Sequence, residues 1–253
     1  MIKKNTIQLV TIIFFYFQAV IFYGQNPQSD HEFYNVFDSI IGVGNNAIYN
    51  GIEYEKKYRT LGESHEFYFS SQFLKGNIIY DSQPYYNIYM KYDVLDDDLI
   101  VKLPNNYEGS SIIRLIKDKV KIFYIAGNQF VRIENDKKNN SHDLNSGFYQ
   151  LLYQSNYLVL YKKHKKSRTE RSDKKYIYNV FKDINEYYLF YNKNYYVIKS
   201  QNDFVKLFPK LKSNINVFFK NNKPLYSSNY DMFLEKLTKH IDILISKNEL
   251  FNQ

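Results

Sequence analysis

The chain has 253 residues, no cysteine and a formal net charge of +8. This length can bury a core without disulfides, and the missing thiols exclude cysteine nucleophiles, zinc–thiolate sites and a lipid anchor on an N-terminal Cys. The basic balance accompanies an abundance of Lys, Asn, Ile, Tyr and Phe, whose codons are rich in A and T. It is therefore read as compositional bias, and no nucleic-acid partner is expected.

The chain opens with Lys3 and Lys4, followed by an apolar run from Ile7 to Tyr23 that Gln8, Thr11 and Gln18 interrupt. Gly24-Gln25-Asn26-Pro27 then breaks the run. A positive start, apolar middle, small residue and polar exit predict a signal peptide over 1–24. The 17-residue run sits at the lower limit for crossing a bilayer. An uncleaved anchor and a buried helix are the other readings. Cleaved or anchored, the body from Gln25 onward is delivered outside the cytoplasm: periplasmic, outer-membrane-associated or secreted. No membrane span is expected once the leader is removed, and loss of Lys3 and Lys4 lowers the formal charge of +8 by two.

The remaining 25–253 is expected to form a single α+β domain, β-rich over 45–199 and helical over 200–248. Ser29 and Glu32 have capping-box spacing ahead of Phe33, Val36, Phe37, Ile40 and Ile41, which share one helical face. Gly42 and Gly44 end that short helix. Short β runs follow, separated by turns. "AIYNGIEY" places Asn50-Gly51 between apolar residues, a hairpin mark. "EFYFS", "NIIYD" and "YYNIYMKYDV" lead to an acidic turn at Asp96-Asp97-Asp98. "LIVKL", "SIIRLI", "VKIFYIA", "QFVRI", "GFYQLLY", "YLVLYKK" and "YIYNVF" continue the pattern. Runs this short and close favour antiparallel pairing, and no βα alternation supports a doubly wound sheet. The expected fold is a strongly curved antiparallel sheet, a meander or open barrel. "YYLFYNKNYYVIK" adds a hairpin. Three helices are expected after it: one started by Ser200 and Asp203 and ended by Pro209, one carrying Leu211, Ile215, Phe218 and Phe219, and one over about 228–246 with Phe233, Leu234, Leu237, Ile241 and Ile245 inward.

Catalytic motifs are sparse. His31, His65, His142, His164 and His240 have no metal-binding spacing among them, and no nucleophile elbow, P-loop or G-x-G-x-x-G occurs. No metal, cofactor or catalytic residue is assigned. Asp96, Asp97 and Asp98 lack the spacing of a calcium loop and read as a solvated turn. The basic run 162–175, "KKHKKSRTERSDKK", reads as a solvated, self-repelling loop, with contact to lipopolysaccharide phosphate, anionic lipid or nucleic acid as the functional alternative. The 27 Tyr and 20 Phe are read mainly as core and sheet residues, though rings on a surface also suit sugars. In "PYYNIYMKY", strand alternation puts Tyr86, Ile88, Met90 and Tyr92 inward. Tyr85, Asn87, Tyr89 and Lys91 then form an outer face suited to a glycan or peptide, and these four are the candidate binding residues.

The stretches "IYNGIEYEKKYRTLGESHEFYFS", "GNIIYDSQPYYNIYMKYDVLDDDLIV" and "YYLFYNKNYYVIKSQNDFVKLFP" resemble a group of exported proteins of Bacteroidetes, mainly flavobacteria. The resemblance covers most of residues 45–225. It implies envelope localisation and one shared architecture, and it carries over no site residue. The resulting expectation is an exported cell-envelope or secreted protein with a non-enzymatic binding or structural role. An envelope component, a glycan or a protein would be its partner. The alternative is a hydrolase of envelope or extracellular glycans using carboxylates such as Glu53, Glu66 or Asp93, marked by a pocket that joins two carboxylates with a raised pKa.

Overall fold

The computed structural model describes residues 46–105, 109–134, 144–173 and 175–250. The expected signal peptide and N-terminal helix, with His31 and His142, lie outside them. Eleven strands form one antiparallel sheet: β1 (Gly51–Glu53), β2 (Leu74–Tyr80), β3 (Gln83–Asp93), β4 (Asp98–Pro104), β5 (Ser110–Leu115), β6 (Val120–Ile125), β7 (Asn128–Ile133), β8 (Gly147–Gln154), β9 (Val159–Lys163), β12 (Glu186–Tyr191) and β13 (Asn194–Ile198). Their order is β1-β5-β4-β3-β2-β6-β7-β8-β9-β12-β13, and the sheet is not closed. Strands β10 (Lys166–Ser172) and β11 (Ile177–Asp183) form a separate hairpin that prolongs β9 and β12 past a bend at 164–165 and 184–185. Four helices follow: α1 (Gln201–Leu207), α2 (Lys212–Asn221), α3 (Lys223–Ser228) and α4 (Tyr230–Leu250).

Three hairpins turn on two residues that both have positive φ: Asp81-Ser82, Ala126-Gly127 and Asn192-Lys193. That backbone matches the right-handed twist of the flanking strands, so the turns hold register even where neither residue is Gly. Asn50-Gly51, by contrast, makes no hairpin. The residues before it form a 3₁₀ turn (Ala47–Tyr49), and β1 pairs with β5, far along the chain. "EFYFS" makes only one bridge, Phe67 to Asp93, because Phe69 takes φ +58° and breaks the extended run. Helix α2 ends at Asn221, and Pro224 sits in the first turn of α3, where its missing N–H has no intrahelical partner to lose.

Two ways of burying the sheet divide the molecule. On the N-terminal side one apolar cluster is built from strands β2 to β8 and Ile48, with no helical residue from α1–α4. Phe123 and Phe130 stack at 4.8 Å, and Tyr92 meets both edge-on at 5.4 and 5.2 Å. A flat sheet cannot cover its own face, so these strands curl over it. On the C-terminal side Leu158, Leu160, Leu189 and Ile198 pack under Phe204, Ile215, Phe233, Leu237 and Ile241 of the helices. The helical stripes read from the sequence all face this second core.

Candidate functional site

The strand expected to carry the binding face is interrupted by a bulge. Asn87 takes φ +56° and the β2–β3 register shifts between Gly76 and Ile78. An extra residue reverses which side chains face inward. Tyr85 is consequently buried in the core, while Met90 and Tyr92 beyond the bulge are buried too. Asn87 and Tyr89 remain exposed. The Lys91 ammonium lies over the rings of Phe73 and Phe67, at 4.3 and 4.8 Å. The four candidate residues therefore do not share one face, and Tyr85 is withdrawn from solvent.

The acidic turn and the basic run, read separately as solvated, meet each other. Asp97, at φ +59°, receives hydrogen bonds from the Tyr92 hydroxyl and the Lys163 ammonium, each at 2.6 Å. Lys163 also donates to the Phe148 carbonyl at 3.0 Å. Asp98 pairs with Arg114 at 3.1 Å, and Asp96 pairs with Lys57. Along the basic run, Lys162 pairs with Asp231 at 2.7 Å and Lys165 with Glu186 at 2.9 Å. Lys166 donates to the carbonyls of His65 and Phe67 at 2.7 and 2.8 Å. The run thus holds the end of β9 and all of β10, and partners distant in sequence hold much of its charge. Burial pushes the Lys163 ammonium down in pKa, and Asp97 opposes that shift. Gly147, at φ +153°, has no room for a side chain: a methyl group there would strike Asp97 Oδ2 and the Lys163 ammonium. Four strands, β2, β6, β7 and β8, separate β3 from β9 in the sheet. A bond from the β3–β4 turn to β9 therefore measures how far the sheet curls.

His164, beside this clasp, is buried at the end of a hydrogen-bonded chain. Asn128 Nδ2 donates to the Ala126 carbonyl at 3.0 Å and to the Tyr68 hydroxyl at 2.8 Å. Asn128 Oδ1 therefore accepts from Gln150 Nε2 at 2.8 Å, and Gln150 Oε1 faces His164 Nε2 at 2.6 Å. That order puts the proton on Nε2 of a neutral imidazole. Burial, with Lys162 next, pushes the His164 pKa down to about 3.

Two concavities lie at the rim. The smaller, about 220 Å³, is lined by Glu53, Tyr54, Asp93, Asp98 and Arg114 among others. Asp93 Oδ1 caps the following turn through the N–H groups of Leu95 and Asp96, at 2.9 and 3.1 Å. Burial pushes the Asp93 pKa up to about 6 against those bonds. Glu66 is buried nearby, with no hydrogen bond to either carboxylate oxygen, and its carbonyl accepts from Val94 at 3.1 Å. The three carboxylates singled out from the sequence thus converge on one end of β3, although Glu66 does not line the pocket.

The larger cavity, about 490 Å³, lies where β12 and β13 meet the start of α4. Tyr187 and Tyr230 form an edge-to-face pair at 5.1 Å on its wall, with Asn185, Glu186, Val197 and Lys199 around them. The Tyr187 hydroxyl donates to Asp231 at 2.6 Å and the Tyr188 hydroxyl to Glu186 at 2.9 Å, which locks both side chains. The hairpin's tyrosines were visible in the sequence only as strand residues. Tyr230, from the helix after three others, completes the cavity, and no local pattern signals that meeting.

Among the described residues no group of three or more His, Asp or Glu is placed to hold a metal ion, and no helix is long and apolar enough to cross a membrane. No protein-family model matches the chain, and neither a curated protein nor a solved structure is detectably similar to it.

Proposed function

We propose that the chain is an exported protein of the cell envelope or extracellular space that works by binding. The lysine-led apolar leader and the resemblance to exported flavobacterial proteins support the location. Binding is supported chiefly by the filled interior of the curled sheet. Tyr92, Phe123, Phe130 and Phe148 occupy it with their own rings, and among the described residues two concavities are lined from strand ends, as suits a protein that takes part of a larger partner. Fractionating the producing cell and weighing the mature protein tests the location. Cleavage near Gly24 and recovery outside the cytoplasm are expected; a full-length cytosolic chain would overturn the reading.

A second reading, a carboxylate-based glycan hydrolase, draws on Asp93. This buried acid stays protonated up to about pH 6 in a pocket that also holds Glu53, and proton donation to a leaving group needs such an acid. The reading requires release of reducing ends from envelope polysaccharide, greatest below pH 6 and abolished by Asp93→Asn. Equal release by both proteins would reject it.

A further inference from the structure

We infer that the cavity between β12, β13 and α4 binds a single carbohydrate ring that carries a carboxylate, with Lys199 receiving the charge. The inference rests on the binding reading above and names the ligand class of one site. The volume of about 490 Å³ falls in the range that encloses small organic ligands. Its wall mixes the two surfaces that a sugar presents partners for. Tyr187 and Tyr230 supply aromatic area for the C–H face of a ring, and Val197 extends it.

The polar groups divide into spent and unspent. Asn185 Oδ1 accepts the Lys165 N–H at 3.3 Å, and its amide nitrogen makes no hydrogen bond among the described residues. Glu186 holds Lys165 and the Tyr188 hydroxyl, and these bonds keep its pKa low although burial opposes them. As a carboxylate with lone pairs to spare it accepts from sugar hydroxyls. The Tyr230 hydroxyl has no bond among the described residues, so it is available in either sense.

The charges decide between a neutral and an acidic sugar. Glu186 is matched by Lys165 and Asp231 by Lys162. Asp203, near the exit of β13, takes the N–H groups of Lys199 and Ser200 and lies 3.5 Å from the Lys206 ammonium. The Lys199 ammonium has no carboxylate in ion-pair range among the described residues, and the residue is exposed. One unmatched cation beside an amide donor and two rings fits a ring with one carboxylate.

The test uses methyl glucuronide and methyl glucoside, titrated into isotope-labelled mature protein and followed by amide NMR shifts. The glucuronide is expected to move the signals of Asn185, Val197 and Lys199 and to bind about tenfold more tightly than the glucoside. Lys199→Gln, at an exposed site, should abolish that preference while leaving the thermal transition in place. Tyr230→Ala should weaken both sugars. No shifts at these residues with either sugar, or an undiminished preference in Lys199→Gln, would overturn the proposal. A wild-type protein that sediments with envelope polysaccharide while both variants do so equally well would refute this site and leave the binding reading standing. Failure to sediment, together with no shifts from either sugar, would remove this site and the glycan form of the binding reading.

Discussion

The two sides of this sheet solve one problem differently. Between β2 and β8 the strands curl until their own rings fill the enclosed space; beyond β8 the sheet is covered by helices. The first solution needs few helical signals but depends on contacts between strands far apart in order, above all Asp97 with Lys163. The second depends on apolar stripes, which each helix carries locally. The curled side should therefore be more sensitive than the helical side to single changes, both at special positions and where a ring is lost, because packed helices can settle toward a cavity.

Truncating a ring in the curled side should have the largest effect. Phe130→Ala, which removes a ring stacked on Phe123 and touching Tyr92, is expected to cost about 4 kcal/mol of unfolding free energy in urea titration. Leu237→Ala under the helices should cost about 3 kcal/mol, since helices can settle into a cavity more easily than a curved sheet. A larger loss at Leu237 would reverse the proposed contrast. Gly147→Ala comes next, at about 2–3 kcal/mol, because it combines a positive-φ backbone with a collision at the clasp.

Acid should also act on the curled side. The His164 pKa falls from 6.5 to about 3 on folding, so the unfolded chain binds more protons between those values. Stability should fall as pH drops through that window, by up to about 1.4 kcal/mol per pH unit. Asp93 acts in the opposite sense. Its folded pKa of about 6 lies above its ordinary 3.8, so its contribution is present below about pH 4 and lost as pH rises toward 6. His164→Gln should flatten the acid limb of a melting-temperature profile, and Asp93→Asn, which keeps an oxygen for the turn, should steepen it. Unchanged profiles in both would contradict the burial assigned to these groups. The smallest effect belongs to the outer end of the basic run. Arg171→Gln should change stability by less than about 0.5 kcal/mol, since the residue is exposed on β10 and the run's strong partners lie at Lys162–Lys166.

What was legible in the sequence follows the range of the forces involved. The antiparallel strands, the Ser200–Asp203 helix start and the apolar stripe of α4 depend on neighbours within a few residues, and the expected pattern matches the structure there. Asn87 shows where local reading fails. Nothing in "PYYNIYMKY" marks a bulge, yet one inserted residue moves Tyr85 into the core. The charged segments fail for a different reason. Lys163 looks solvated because its counter-ion is 66 residues away in the chain. The rim cavity was invisible likewise, since Tyr187 and Tyr230 meet only after the helices have packed.

The clasp offers the most direct test. Asp97→Ala, Lys163→Ala and the double variant should be compared by urea unfolding in one buffer. If the sheet curls so that the β3–β4 turn bonds to β9, Asp97→Ala leaves the buried Lys163 ammonium without its carboxylate and costs about 3 kcal/mol, Lys163→Ala costs less because Asp97 keeps Lys117 at 3.6 Å and the Tyr92 hydroxyl, and the two changes couple by about 2 kcal/mol. Effects that add to within about 0.5 kcal/mol would mean that the two residues do not meet, and that the sheet does not curl as described.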